Sequence, residues 1–132
     1  MGDRANVCVK EKGEMVYLYT HWSGAKLPEI VREALASPQG RARWDDASYL
    51  TRIIFSHMVK DHIDGETGYG IWSSIGDGTD RVVLVVVDEK KVCVNEAEYS
   101  FSEFCDLKDV EWHDVVDAGR KWAGLEVKNM EP

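Results

Sequence analysis

Cysteine is scarce in this chain of 132 residues: only Cys8, Cys93 and Cys105 occur. The number is odd, the spacings are long and no Cys-x-x-Cys pair occurs, which argues against a disulfide framework and a structural zinc site. No metal and no cofactor are expected. Cys8 and Cys93 lie in apolar, strand-like runs and read as buried, inert thiols. Positive charge is also in deficit, with 16 Lys and Arg against 24 Asp and Glu and a net charge of -8. That argues against direct nucleic-acid binding, which needs a basic footprint, and against docking on an anionic membrane. Apolar runs are short, none approaching the roughly 18 residues of a membrane span. The opening MGDRANVCVK has no apolar segment of a secretory signal. With the cysteine usage this points to the cytoplasm. No repeat, low-complexity tract or linker interrupts the chain, so residues 1–132 read as a single domain that includes the acidic C-terminal third, 88–132.

What is present is a clear pattern of strands and helices. Residues 4–10 and 15–21 alternate with a period of two around a Lys12-Gly13-Glu14 turn, which predicts a hairpin. One face holds Val7, Val9, Val16 and Leu18, and the other carries aromatic and polar groups. Leu27-Pro28 opens a helix to about Ser37, with Ile30, Val31, Ala34 and Leu35 as its apolar stripe. A second helix is expected over Ala47–Asp61, capped by Asp45 or Asp46, with Leu50, Ile53, Ile54 and Met58 turned to the core. A strand over Tyr69–Ser74 follows, then RVVLVVVD at Arg81–Asp88, whose unbroken apolar run marks a strand buried on both faces. Residues 91–95 form the next strand, and these three are expected to pair as an antiparallel meander. Tyr99 and Phe101 continue the sheet, or Ser100 and Glu103 open a short helix with a capping box. Asp109 to about Ala123 reads as a last helix bearing Trp112, Val115, Val116 and Trp122. The order is β-β-α-α-β-β-β-(β/α)-α. It predicts an α+β fold in which two or three helices pack on a mostly antiparallel sheet of five or six strands.

The opening GDRANV and the turn YLYTHWSG resemble a set of small bacterial and phage proteins that begin Met-Gly-x-Arg and carry a Tyr-x-x-His-Trp-x-Gly turn. Gly2, Arg4, Tyr17 or Tyr19, His21, Trp22 and Gly24 match this outline, and Ser23 stands where a wider HWDGYP pattern has Asp. Arg43–Asp46 and Gly65–Ile71 are also similar to the closer group, so the resemblance covers about residues 2–72. This family has no established activity. The resemblance therefore implies a bacterial or phage setting and a fold, not a reaction.

Several residues carry candidate chemistry. His21 ends a strand before Trp22, a place suited to a general base or ligand contact, and equally to a histidine that fixes the turn. Asp3, Arg4 and Asn6 open the chain on the neighbouring strand, so a polar cluster of Asp3, Arg4, Asn6, Tyr19 and His21 is expected at one end of the hairpin. Arg4 could clasp an anion, or bridge to Asp45 or Glu66. Trp22, Trp44 and Trp72 fall beside turns, as core or as a stacking wall. Arg4, Asn6, His21, Trp22, Trp44, Asp45 and Glu66 are thus the ligand-binding candidates. Removal of Met1 would leave Gly2, which has no nucleophile, and no nucleophile-elbow or family signature accompanies Cys8, His21 and Asp45 as a Cys-His-acid set. His57 and Asp61 lie four apart without the HExxH pattern, and Gly65, Gly68 and Gly70 lead into a strand, not into a phosphate-binding helix.

Residues 88–132 carry 12 acids and 6 bases. Asp109, Glu111, Trp112, Asp114 and Asp117 are therefore candidates for contact with a basic partner. Three functions are consistent with these features. The first is a non-enzymatic, phage-type binding protein that recognises a basic host protein through an acidic surface. The second is a small-ligand or nucleotide-binding protein with a pocket near Arg4, His21 and Trp22. The third is a hydrolase using His21.

Overall fold

The computed structural model describes residues 2–112. β1 (Ala5–Glu11) and β2 (Glu14–Thr20) form the expected hairpin, in register from Ala5↔Thr20 to Glu11↔Glu14. Lys12 and Gly13 both have positive φ, 51° and 86°, the geometry of a two-residue hairpin turn matched to strand twist. A single 3-10 turn, Gly24–Lys26, leads into α1 (Leu27–Ala36). The expected polar connector holds a four-residue helix, α2 (Pro38–Arg41), capped by Ser37, whose hydroxyl accepts from Gly40 N–H. α3 (Ala47–Val59) begins at Asp46, whose carboxylate accepts from Tyr49 N–H.

The remaining elements are β3 (Tyr69–Trp72), β4 (Val82–Val86), β5 (Lys91–Val94), β6 (Ala97–Ser100) and α4 (Phe101–Cys105). Each alternative at the sixth strand holds in part: Tyr99 lies in β6, but Phe101 does not continue the sheet and instead opens α4, which starts on the reciprocal capping box of Ser100 and Glu103.

The sheet has six strands in the order β3-β2-β1-β4-β5-β6. It is mixed, because β1 pairs with β4 in parallel while the other pairings are antiparallel. The expected meander of the third to fifth strands is thus corrected: β4 and β5 pair, but β3 lies at the far edge against β2. The reason is burial. β4 is buried on both faces and needs apolar neighbours on both sides. β1, buried from Ala5 through Val9, supplies one, whereas β3 is short and half open to solvent.

The helices cover one face. Leu27, Val31, Ala34 and Leu35 of α1, Leu50, Ile53, Ile54 and Met58 of α3, and Phe101 and Phe104 of α4 pack on Ala5, Val7, Val9, Leu18, Val83, Val85, Val92 and Val94. The opposite face holds a smaller cluster of Cys8, Tyr17 and Val82, covered by Met15, Ile75 and Leu84. Ile75 comes from residues 73–81, which must cross β2 and β1 to connect β3 with β4.

Beyond α4 the chain runs back along α1. Arg32 Nη1 donates to Leu107 O and, at 2.8 Å, to Lys108 O, and Trp112 Nε1 donates to Gly24 O at 2.8 Å. Residues 109–112 are not helical, which corrects the start of the last expected helix. Its remainder, with Val115, Val116 and Trp122, lies outside the described residues. Among the described residues no helix is long and apolar enough to cross a membrane.

Candidate functional site

The end of the sheet where β1 begins and β2 finishes collects most of the sequence-predicted site. Thr20 is buried, and its Oγ1 accepts from Trp22 N–H at 3.3 Å and Ser23 N–H at 3.1 Å, which turns the chain at His21-Trp22-Ser23-Gly24. Asp3 locks this turn. Its N–H donates to His21 O, its carbonyl accepts from Gly24 N–H, and its carboxylate accepts from Ala25 N–H at 3.0 Å and pairs with Arg81 Nη1 at 2.6 Å. Burial opposes ionisation of Asp3, but the Ala25 N–H and the Arg81 guanidinium outweigh it and hold the carboxyl below its usual range. Arg81 in turn lies 5.7 Å from the centre of the Trp112 ring.

His21 is held by two groups on one nitrogen. Arg4 Nε donates to its Nδ1 at 3.3 Å, and the Tyr19 hydroxyl sits 3.0 Å from the same atom. An arginine N–H can only donate, so Nδ1 accepts and a neutral ring carries its proton on Nε2. Nε2 faces the backbone of Gly2, where a Cβ would lie 2.4 Å away. Ser23 Oγ is engaged elsewhere, 3.3 Å from the Tyr69 hydroxyl. This geometry suits a turn clamp better than a general base, whose free lone pair must point at a substrate.

Trp22 stands edge-on to His21, with ring centres 4.4 Å apart, and its indole covers Gly68. Gly68 has φ of +101°, and a Cβ there would meet Trp22 Nε1 at 2.0 Å. Its carbonyl accepts from His21 N–H, extending the β2–β3 ladder by one pair. Gly68→Ala is therefore expected to destabilise the fold by about 1–3 kcal/mol, since both the backbone and the indole must shift. Urea unfolding with tryptophan fluorescence checks this. A midpoint and spectrum identical to the parent would show that Trp22 does not rest on Gly68.

The other candidates scatter. The Asn6 side chain is buried and donates to Gly76 O and Asp77 O while accepting from Gly76 N–H, so it pins the crossing segment and faces no solvent. Arg4 bridges to Asp77 at 3.7 Å, neither to Asp45 nor to Glu66. Asp45 instead pairs with Lys90 at 2.7 Å, at the far end of the sheet. Trp44 is there too, donating to Leu35 O and packing edge-on to Phe101. Glu66 is exposed in the loop before β3. Asp109 and Glu111 are exposed on the segment beside α1, whereas Trp112 is turned inward onto Gly24. Asp114 and Asp117 lie outside the described residues.

No family model, curated protein or solved structure matches this chain. The site must speak through its own geometry.

A cleft of about 510 Å³ opens between α1 and α3, with Trp22, Glu29, Glu33, His57, Asp61 and His62 on its walls. His57 Nδ1 is buried there without a hydrogen-bond partner among the described residues. Burial pushes the imidazole below its ordinary pKa, Lys60 adding to this and Glu33 opposing it. Trp22 lines this cleft, but Arg4 lines a separate, shallower one with Gly2, Gly78, Asp80 and Arg81. Among the described residues no group of three or more His, Cys, Asp or Glu is placed to hold a metal.

Asp3 lies at this end of the hairpin with Arg4, Tyr19 and His21, as the sequence suggests, but sequence reading missed Arg81 as the partner of Asp3 and Asp77 as the partner of Arg4. Those partners lie more than 70 residues away, and no local spacing signals them.

Proposed function

We propose that the protein is a non-enzymatic binding module for a basic partner protein, acting in the cytoplasm of the bacterial or phage system that its N-terminal resemblance implies. One observation carries this reading: bulky apolar side chains stand in solvent along a stretch of chain whose charge is acidic. Trp22 is 52%, Ile63 74%, Ile71 54% and Trp72 72% exposed. All four belong to the turn after β2, to the loop entering β3, or to β3 itself. Residues 60–80, which hold β3 and its flanking loops, contain Asp61, Asp64, Glu66, Asp77 and Asp80 against a single base, Lys60. Exposed bulky apolar side chains beside charge of one sign are features of a protein interface, and that sign selects the partner. Asp109 and Glu111, exposed on the segment that ends at Gly24, carry negative charge towards the same end of the molecule. The engagement of His21 Nδ1 by Tyr19 and Arg4 supports a binding role over a hydrolytic one.

The test is charge reversal of the acids that lead into β3. Asp61→Lys, Asp64→Lys and Glu66→Lys together are expected to weaken binding of Lys/Arg-rich, apolar-interspersed synthetic peptides by at least about tenfold at low salt. All three positions are exposed, so the melting temperature should stay within a few degrees of the parent. Peptide affinity unchanged by the triple reversal would remove this reading.

A further inference from the structure

The sheet ends at β3. Its inner side pairs with β2 from Thr20↔Tyr69 to Tyr17↔Trp72, and among the described residues no strand lies beyond it. The phase of that ladder follows from one bond. His21 N–H donates to Gly68 O at 2.8 Å, so Gly68 and His21 are a hydrogen-bonded pair. Antiparallel pairs alternate, which turns the backbone groups of Gly68, Gly70 and Trp72 towards β2 and those of Tyr69 and Ile71 outward.

The side chains on this edge are apolar on both faces of the sheet. Trp72 stands on the face away from the helices and Ile71 on the helix side, where Val16 of β2 is its diagonal neighbour and is also exposed. An edge of this kind is a template for pairing, and proteins ordinarily blunt it with lysine, proline or a bulge. Tyr69-Gly70-Ile71-Trp72 contains neither lysine nor proline, and Gly70 leaves open space where a side chain would stand.

We propose that β3 is a receptor strand: an extended, basic segment of a partner protein adds to the sheet by main-chain hydrogen bonds to Tyr69 and Ile71 and lays alternate apolar side chains on Ile71 and Trp72. This inference rests on the reading of the protein as an acidic binding module and gives that module its mode of recognition. Charge selects the occupant. Asp61, Asp64 and Glu66 lead into β3. A basic strand meets complementary charge at the Tyr69 end of β3. A second copy of this chain, with net charge -8, would bring two such acidic sets together.

The experiment uses the full chain and a synthetic peptide of about eight residues, a length that spans a typical strand. The peptide alternates Val or Ile with Lys or Arg, and its affinity is read by fluorescence anisotropy. A second peptide of the same sequence is N-methylated at alternate residues, on the main-chain edge that would meet β3. Ile71→Pro is the protein-side variant, because it deletes an outward N–H and leaves the bonds to β2 in place. Ile71→Lys, which keeps the N–H but charges the edge, serves if the proline variant does not fold.

Strand addition predicts at least about a tenfold loss of affinity on N-methylation, because two or more main-chain hydrogen bonds are forfeited, and a loss of severalfold in the Ile71 variant, from the missing N–H of Ile71→Pro or the charge of Ile71→Lys. Peptide affinity that ignores N-methylation and the Ile71 variant, yet falls on reversal of Asp61, Asp64 and Glu66, would overturn strand addition while leaving the acidic module standing. Failure of any basic peptide to bind would overturn both. A concentration-dependent dimer in sedimentation equilibrium that Ile71→Pro abolishes would assign the edge to a second copy and overturn the proposal.

Discussion

Replacing Asn6 by alanine is expected to destabilise the fold by about 2–4 kcal/mol, because three hydrogen bonds to a distant segment disappear together and leave main-chain groups of Gly76 and Asp77 without their partner. The amide is wholly buried on the central strand. Its nitrogen donates to Gly76 O at 3.3 Å and Asp77 O at 2.8 Å, and its oxygen accepts from Gly76 N–H at 3.1 Å. Without it the crossing segment loses its anchor, and Ile75 loses its reason to stay over Cys8, Tyr17 and Val82. Denaturant unfolding gives the magnitude, and hydrogen exchange over residues 73–81 locates it. Asn6→Asp distinguishes bonding from volume: it keeps the shape but sets a carboxylate against two carbonyls, and should be at least as damaging. Exchange in residues 73–81 as slow as in the parent would show that Asn6 does not hold the segment.

Phe101→Ala is expected to be comparably severe, at about 3–5 kcal/mol, the usual range for emptying a buried aromatic site. Phe101 is 1% exposed at the first position of α4, and its ring meets Trp44 edge-on at 5.4 Å. The substitution opens a cavity at the junction of β6, α4 and the α2–α3 connection and removes the aromatic pair. Calorimetry should show a melting temperature lower by more than 10 °C for a domain of this size. Trp44 emission should shift towards that of a solvated indole. Phe101→Leu, which retains most of the volume, should recover most of the loss. A melting point within a few degrees of the parent would mean that the site collapses around the missing ring.

Local chemistry made most of the elements legible. The hairpin followed from alternation around Lys12-Gly13, α1 from Pro28 and the stripe ending at Leu35, α3 from its Asp46 cap, and α4 from Ser100 and Glu103. Strand partnership was not legible, because RVVLVVVD announces a buried strand without naming its neighbours. The choice of β1 over β3 depends on which candidate is apolar on both faces, and Asn6 and Cys8 hide that property in β1. Of the candidate site, Arg4, His21 and Trp22 do share one end of the sheet, as their places beside the first hairpin suggested. Trp44 and Asp45 do not, since residues 37–46 carry them to the opposite end. Asn6 was read as a ligand group because its polarity is visible in the sequence, while the segment it holds lies 70 residues away.

The place of β1 at the centre of a mixed sheet bears on how the chain assembles. As the chain leaves the ribosome, β1 finds β2 almost at once across a two-residue turn. Its other flank must wait for residues 82–86, long after α1 and α3 have emerged. A hairpin with helices on one face is a local, quickly formed unit; the parallel closure by β4 is a long-range step and the slow one. Until that step, β1 carries an unpaired edge, so the nascent chain passes through a stage in which its later core is its most aggregation-prone surface.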